Sequence, residues 1–276
     1  MTILPFEHNN QPTHDVVDVD PETAMRWLNR NENNRRLSPG KVAQYARDMK
    51  AGNWAFNGDP VRFDTHGRLL DGQHRLSAIK TSGTTQRMLV VTNLPSTTQD
   101  TMDIGRKRAM GDQLQIAGEK NSNLLAAILR IVVAYHHGQR FFSTAAPTQA
   151  EMREYLSRNP QARRATEVAA KSKKFLPAMP SAIGGAYFLS AQKDLEGAEL
   201  FYDFQLLEGL GLEPGDPALT LRNKFISARS AGQRFTVDEQ LRYVMRGWNA
   251  FREWRKPNKF QMPKGGWTAD NFPEPK

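Results

Sequence analysis

The chain has 276 residues, with 38 Lys and Arg against 29 Asp and Glu, and a formal net charge of +9. That sign favours polyanionic partners, nucleic acid or nucleotide. It holds no Cys, which excludes disulfides, thiolate catalysis and Cys-based zinc sites. No apolar run is long enough to cross a bilayer, and residues 1–8 lack the basic and apolar regions of a signal peptide. The expectation is a cytoplasmic protein with no membrane partner.

Residues 1–13 are expected to be a flexible N-terminus. Asp15–Val19 alternates like a short strand. Asp20-Pro21-Glu22 then supplies an N-cap, a first-turn Pro and an early acid, so a helix follows over Ala24–Asn29. Ser38-Pro39 repeats the start signal. Val42, Tyr45, Ala46 and Met49 fall at helical spacing, and Gly52 closes that helix. Pro60–Asp64 and Arg68–Leu70 read as the two arms of a hairpin turned by Thr65-His66-Gly67. A helix follows Gly72 and runs to Ser82-Gly83. Arg87–Thr92 is a strand rich in apolar and β-branched residues. A further helix starts near Ser96, breaks around Gly105 and resumes to Gly118.

From residue 121 the chain reads as almost wholly helical. Leu124–Val133 is apolar nearly all round and predicts a buried helix. Thr148 with Glu151, and Thr236 with Glu239, are capping boxes. Asp216-Pro217 starts another helix. Gly184-Gly185 lacks the Lys-Ser/Thr of a phosphate loop and reads as close helix packing. Met25, Met49, Met88, Met102 and Met110 read as core fillers. His136-His137 has no partner at metal-ligand spacing. The expected fold class is α+β: residues 14–118 form a small mixed unit, 119–255 an all-α domain, and 256–276 an irregular basic tail.

The chemistry concentrates in Asp71-Gly72-Gln73-His74-Arg75, where a strand stops and a helix starts at once. Gly72 lets the backbone approach a ligand closely, and the helix N–H groups attract an anion. Arg75 adds a two-pronged donor, and His74 a group that titrates near neutrality. The plainer alternative for His74 is a helix residue bonded to backbone, and for Asp71 a cap. Asp59, just before the Pro60 strand, is either a turn residue or a carboxylate facing the pocket. Asp103-Ile104-Gly105-Arg106-Lys107-Arg108 is a second basic cluster, and Asp103 could orient one of its arginines. A third spans Arg242, Arg246, Arg252, Arg255, Lys256, Lys259 and Lys264, interleaved with Tyr243, Trp248, Phe251, Trp254, Phe260 and Trp267. Cations there suit phosphates and aromatics suit bases, although helical spacing also suits a core.

Taken in order, Asn34-Arg35-Arg36-Leu37-Ser38, a helix, Pro60-Val61-Arg62-Phe63, a hairpin and Asp71–Ala78 resemble the ParB/sulfiredoxin superfamily over roughly the first 110 residues. Gly72, Arg75 and Ala78 match the ParB box, while Gln73, His74 and Ser77 depart from it. Gly72, His74 and Arg75 match the sulfiredoxin loop, whose Cys is replaced by Gln73. Members with the Asp-Gly-Gln-His-Arg form, common in phage and mobile elements, are most similar. The resemblance implies a nucleotide site, since ParB binds CTP, sulfiredoxin ATP and a related serine kinase ADP.

The resemblance implies that Gly72, Gln73, His74 and Arg75 hold phosphate, with Arg35 or Arg36 approaching from the other side. Arg106 and Arg108 could extend that site. The expected cofactors are a nucleoside triphosphate and Mg²⁺, the metal at Asp71 or Asp59, with His74, Asp71 and Asp59 as catalytic groups. Lys107, Arg252, Arg255, Lys256 and Lys259 are the candidates for DNA contact, and a homodimer is compatible. The leading expectation is a nucleotide-binding protein acting with DNA that hydrolyses the nucleotide or transfers its phosphate. The alternative is a DNA-binding regulator or partition-like adaptor without turnover. A nuclease ranks last, because no acidic metal cluster stands out in the sequence.

Overall fold

The computed structural model describes residues 11–32, 34, 36–102, 109–142 and 147–276. The protein is mixed α/β and divides into two compact units, 1–107 and 108–276.

The first unit is built on four strands: β1 (Thr13–Val19), β2 (Pro60–Asp64), β3 (Leu69–Asp71) and β4 (Gln86–Leu94). Their order across the sheet is β1-β4-β2-β3. The hairpin pair β2–β3 is antiparallel, β1–β4 is antiparallel, and β2–β4 is parallel. Among the described residues three α-helices accompany the sheet: α1 (Pro21–Leu28), α2 (Pro39–Lys50) and α3 (Gln73–Ser82).

Local chemistry explains the starts. The Asp20 side chain accepts the Thr23 N–H at 2.6 Å, and Pro21 follows it. Pro39 takes the same first-turn place in α2, where a missing N–H costs nothing. Register sorts the strand residues by face. Val17, Val61, Met88 and Val90 pair on one side, and with Phe63 they share a core with Trp27, Ala46, Met49, Leu76 and Ile79 of the helices. Trp27 meets Phe63 edge-on at 5.4 Å. The opposite face carries His14, Val91, Arg62 and Asp71 in one row across the four strands. Met25 lies on the exposed side of α1 instead of in the core, unlike the buried Met49, Met88 and Met110.

The hairpin turn is pinned by Asp64, whose side chain is fully buried. It accepts the N–H groups of His66 and Arg68, the Ser96 hydroxyl and the Arg68 guanidinium, all within 2.8–2.9 Å. Burial pushes its carboxyl up, but these four donors together hold it below the ordinary value of 3.8. After β4 the chain makes a short 3₁₀ helix of about two turns (Ser96–Thr101), where the sequence suggests a helix running on to Gly105.

The second unit contains α4 (Met110–Ile116), α5 (Ser122–His136), α6 (Gln149–Arg158), α7 (Ala162–Phe175), α8 (Pro180–Ala191), α9 (Leu195–Ala198), α10 (Pro217–Ser230) and α11 (Val237–Arg252). A π-helix, Glu199–Glu208, continues from α9. The division falls before α4, whereas the sequence suggested a break after it. Met110 and Leu114 bury themselves in the helical core beside Leu125 and Leu129, so α4 packs on α5. Both expected capping boxes form: Thr148 with Glu151, and Thr236 with Glu239.

Helix α8 is buried from Ala182 to Ser190, as a helix at the centre of a bundle must be. Gly184 and Gly185 make room for α5. A β-carbon at Gly184 would overlap Ile128 and come within 2.9 Å of the Ala169 β-carbon. The close-packing expectation for this pair therefore holds. Residues 256–276 form no helix or strand, but they are packed down. Phe260 and Phe272 are buried, and Trp248 Nε1 donates to the Lys276 carbonyl at 3.0 Å.

Candidate functional site

The crook between β3 and α3 is shaped by Gly72, which has φ +105° and serves as the N-cap of α3. A β-carbon there would lie 3.0 and 3.1 Å from the Val61 methyls. Both the dihedral and the closeness to β2 call for glycine. Gly72→Ala should destabilise the first unit by about 2 kcal/mol, from the left-handed backbone plus crowding. Urea denaturation checks this, and an unchanged midpoint would remove the steric account.

Asp71 sits at the centre of a charged cluster. Its Oδ1 accepts the Gly72 N–H at 2.7 Å. Its Oδ2 accepts from Arg62 at 2.6 Å and from Arg75 at 3.0 Å. Arg75 also donates to the Pro60 carbonyl at 2.7 Å, and its side chain is only 12% exposed. Two guanidiniums thus share one carboxylate. Arg62 did not stand out in the sequence as a site residue. Its signal is the pairing of β2 with β3, which sets it directly opposite Asp71.

The segment before α2 closes the site from the other side. The Ser38 N–H donates to His74 Nε2 at 3.1 Å. That bond leaves His74 Nε2 an acceptor, so a neutral ring carries its proton on Nδ1. This backbone bond is the plainer role that the sequence allowed His74. Asn31 Nδ2 donates to Gln73 Oε1 at 3.1 Å, and Asn34 Nδ2 donates to the Leu69 carbonyl at 2.6 Å. Gln99 Nε2 reaches both Asn34 Oδ1 and the Leu70 carbonyl. These amides stitch residues 31–38 to the β3–α3 crook. Asn31 and Gln99 are the further residues that sequence reasoning missed, because amides far apart in the chain give no local pattern.

Consequently two helices begin at one place. Ser38 is the N-cap of α2 and His74 lies in the first turn of α3, and neither helix has a side-chain cap. Each N-terminus presents roughly half a positive charge. Arg36, exposed, stands two residues before Ser38.

The other sequence candidates are distributed differently. Asp59 is exposed and closes its own turn, exchanging hydrogen bonds of 3.0–3.1 Å with Asn57. Arg35, Asp103, Arg106, Lys107 and Arg108 lie outside the described residues. Arg252 pairs with Asp194 and covers the Trp248 ring, so it serves the fold of the helical unit. Arg255 pairs with Glu253. Lys256 follows it in the irregular segment, its side chain against Gly215. Lys259 lines a cleft of about 180 Å³ with Arg246, Asn249, Arg255, Phe260 and Lys276. A second cleft of about 490 Å³ lies between the ends of α7 and α10, with Lys173, Lys174 and Arg229 on its walls. Arg242, one of the C-terminal cations, is buried under Phe141 and donates to the Arg140 carbonyl.

No family model, curated protein or solved structure matches the chain.

Phosphate oxygens suit two helix starts without side-chain caps beside Arg62 and Arg75. Mg²⁺ at Asp71 does not fit: the carboxylate is already shared by two guanidiniums, and a cation there would face both. Among the described residues no group of three or more His, Asp or Glu is arranged to hold a metal.

Proposed function

We propose that the first unit is a nucleotide-phosphate binding module of the ParB/sulfiredoxin-like kind, and that the protein uses it in company with DNA. The observation that carries this reading is the bond from Ser38 N–H to His74 Nε2, which gathers two uncapped helix N-termini at one point. The two segments it joins are the ones on which the sequence resemblance rests. The net charge of +9 supports the DNA partner.

A guanidinium offers five N–H donors. Asp71 takes one from Arg62, while Asp71 and Pro60 take two from Arg75. The remaining donors are available to a phosphate, and the half-exposed Arg62 is the easier to reach. Asp71 acts by aiming both side chains. In this role it is a positioning residue, and neither it nor Asp59 is placed as a base. The geometry therefore favours a nucleotide that is bound and sensed over one that is hydrolysed or used as a phosphate donor.

Calorimetry of the full chain with each nucleoside triphosphate, and with the corresponding nucleosides, tests this. The triphosphates should bind and the nucleosides should not. Arg62→Gln and Arg75→Ala should each weaken binding at least ~tenfold, the loss of one charge-assisted hydrogen bond. Equal affinity of the variants would remove the site from this crook. Phosphate release measured in the same samples decides between sensing and turnover.

A further inference from the structure

Helix α11 ends in a turn that carries a misfit. The Trp254 N–H bonds the Phe251 carbonyl at 3.1 Å, and the Arg255 N–H bonds the Ala250 carbonyl at 2.9 Å. These are the two hydrogen bonds of a Schellman ending, whose left-handed position usually holds glycine. Here that position is Trp254, at φ +54°. A bulky side chain at such a dihedral is an outlier. The strain is not repaid by packing. Trp254 is 91% exposed, and its ring meets no aromatic or cationic partner among the described residues.

The next residue, Arg255, opens the cleft of about 180 Å³ at the base of the same helix. Arg246, Lys259 and Lys276 share its walls, and no acidic side chain does. Glu253 stands to one side, bonded to Arg255 and Lys276, and those bonds hold its own carboxyl below the ordinary value. Arg246 is braced by the Gln261 carbonyl. An exposed ring one residue from a group of cations is a combination that suits an unpaired strand: the ring stacks on a base, and the cations track its phosphates. A duplex offers no exposed base face to such a ring. An acidic peptide would need the cations but not the ring.

We propose that the end of α11 and the segment after it form a single-stranded nucleic-acid site, with Trp254 stacking on a base and Arg246, Arg255 and Lys259 on the adjacent phosphates. This deepens the DNA-partner part of the reading above and rests on that part alone. The nucleotide crook of the first unit is not involved.

The test is fluorescence anisotropy of the full chain with a labelled oligothymidylate of about 12 nucleotides, a length within the range that such sites cover. A duplex of the same length and a poly-glutamate peptide serve as competitors. Trp254→Gly should weaken the single strand about fivefold or more, the lower end of one lost stacking contact. The same variant should leave the melting temperature unchanged or raise it, because glycine suits the turn. Trp254→Phe should restore most of the affinity. Lys259→Ala should reduce the salt slope by about 0.7. If oligonucleotide binds and Trp254→Gly changes nothing, the DNA partner stands and this site is wrong. Equal competition by duplex or by poly-glutamate also overturns it. If no nucleic acid is retained at low salt, the DNA-partner reading itself fails.

Discussion

Replacing Asp64 with Ala is expected to lower the stability of the first unit by about 3–4 kcal/mol, since a buried carboxylate with several charge-assisted hydrogen bonds is lost. The change leaves Arg68, Ser96 and two backbone N–H groups without their shared acceptor. It also frees the turn that aims β3, and hence the Gly72 crook, so the phosphate affinity proposed for that crook should fall with stability. Urea unfolding of the variant measures the first effect. A loss under ~1 kcal/mol would mean that water replaces these bonds at little cost. The same carboxylate predicts an acid response. Its folded pKa lies below the unfolded value of 3.8. Its contribution is therefore complete above that value and is lost as pH falls through the depressed folded one.

The second large effect is expected in the helical unit, for Asp203→Ala. Asp203 has a side chain only 4% exposed and accepts from Lys171 at 2.7 and 2.9 Å and from Arg164 at 3.0 Å. Arg164 also grips Glu199, and Lys171 also reaches Glu208. Tyr187 donates to Glu199 at 2.6 Å, and burial pushes that phenol well up. Because Glu199 and Glu208 retain the cations, the cost is held to about 2–3 kcal/mol. Thermal melts of the variant check it. Glu199, kept low first by its Arg164 hydrogen bonds, adds a share of stability that is present above its ordinary 4.5 and fades as pH drops below it.

This network needs the π-helix. With about 4.4 residues per turn, positions 199, 203 and 208 fall on one side. At 3.6 residues per turn, 208 would stand opposite 199. Arg164 and Lys171, seven apart on α7, supply the matching cationic face. The wide turn thus sets which acids meet α7.

What was legible in the sequence was local. Asp20-Pro21, Ser38-Pro39 and the two Thr–Glu boxes all start helices, Asp20 and the two Thr through side-chain caps three residues away and Ser38-Pro39 through the first-turn Pro alone. The strands β2 and β4 follow from alternation and β-branching, and Gly72 from the abrupt change of element. What escaped was set by pairing over distance. Arg62 becomes a site residue only once β2 is registered against β3. The amides of Asn31 and Gln99 matter only because the crook lies between them. The π-register has no local code, since the same residues would form an ordinary helix in isolation. Arg242 reads as a surface cation, yet aromatic rings of the folded unit cover its guanidinium and its stem. Spacing groups Trp254 with its helical neighbours, yet the helix stops just before it.

The strand order carries a consequence for how the first unit assembles. β4 is the last of the described strands and the one between β1 and β2. The hairpin and α3 can gather early, because their partners are neighbours in sequence. Thr13 finds Thr92 only across 79 positions, a closure that is slow by loop entropy. The N-terminal strand must therefore wait, unpaired, until residue 94 has been made, and a nascent chain released before that point would expose a solitary β-edge.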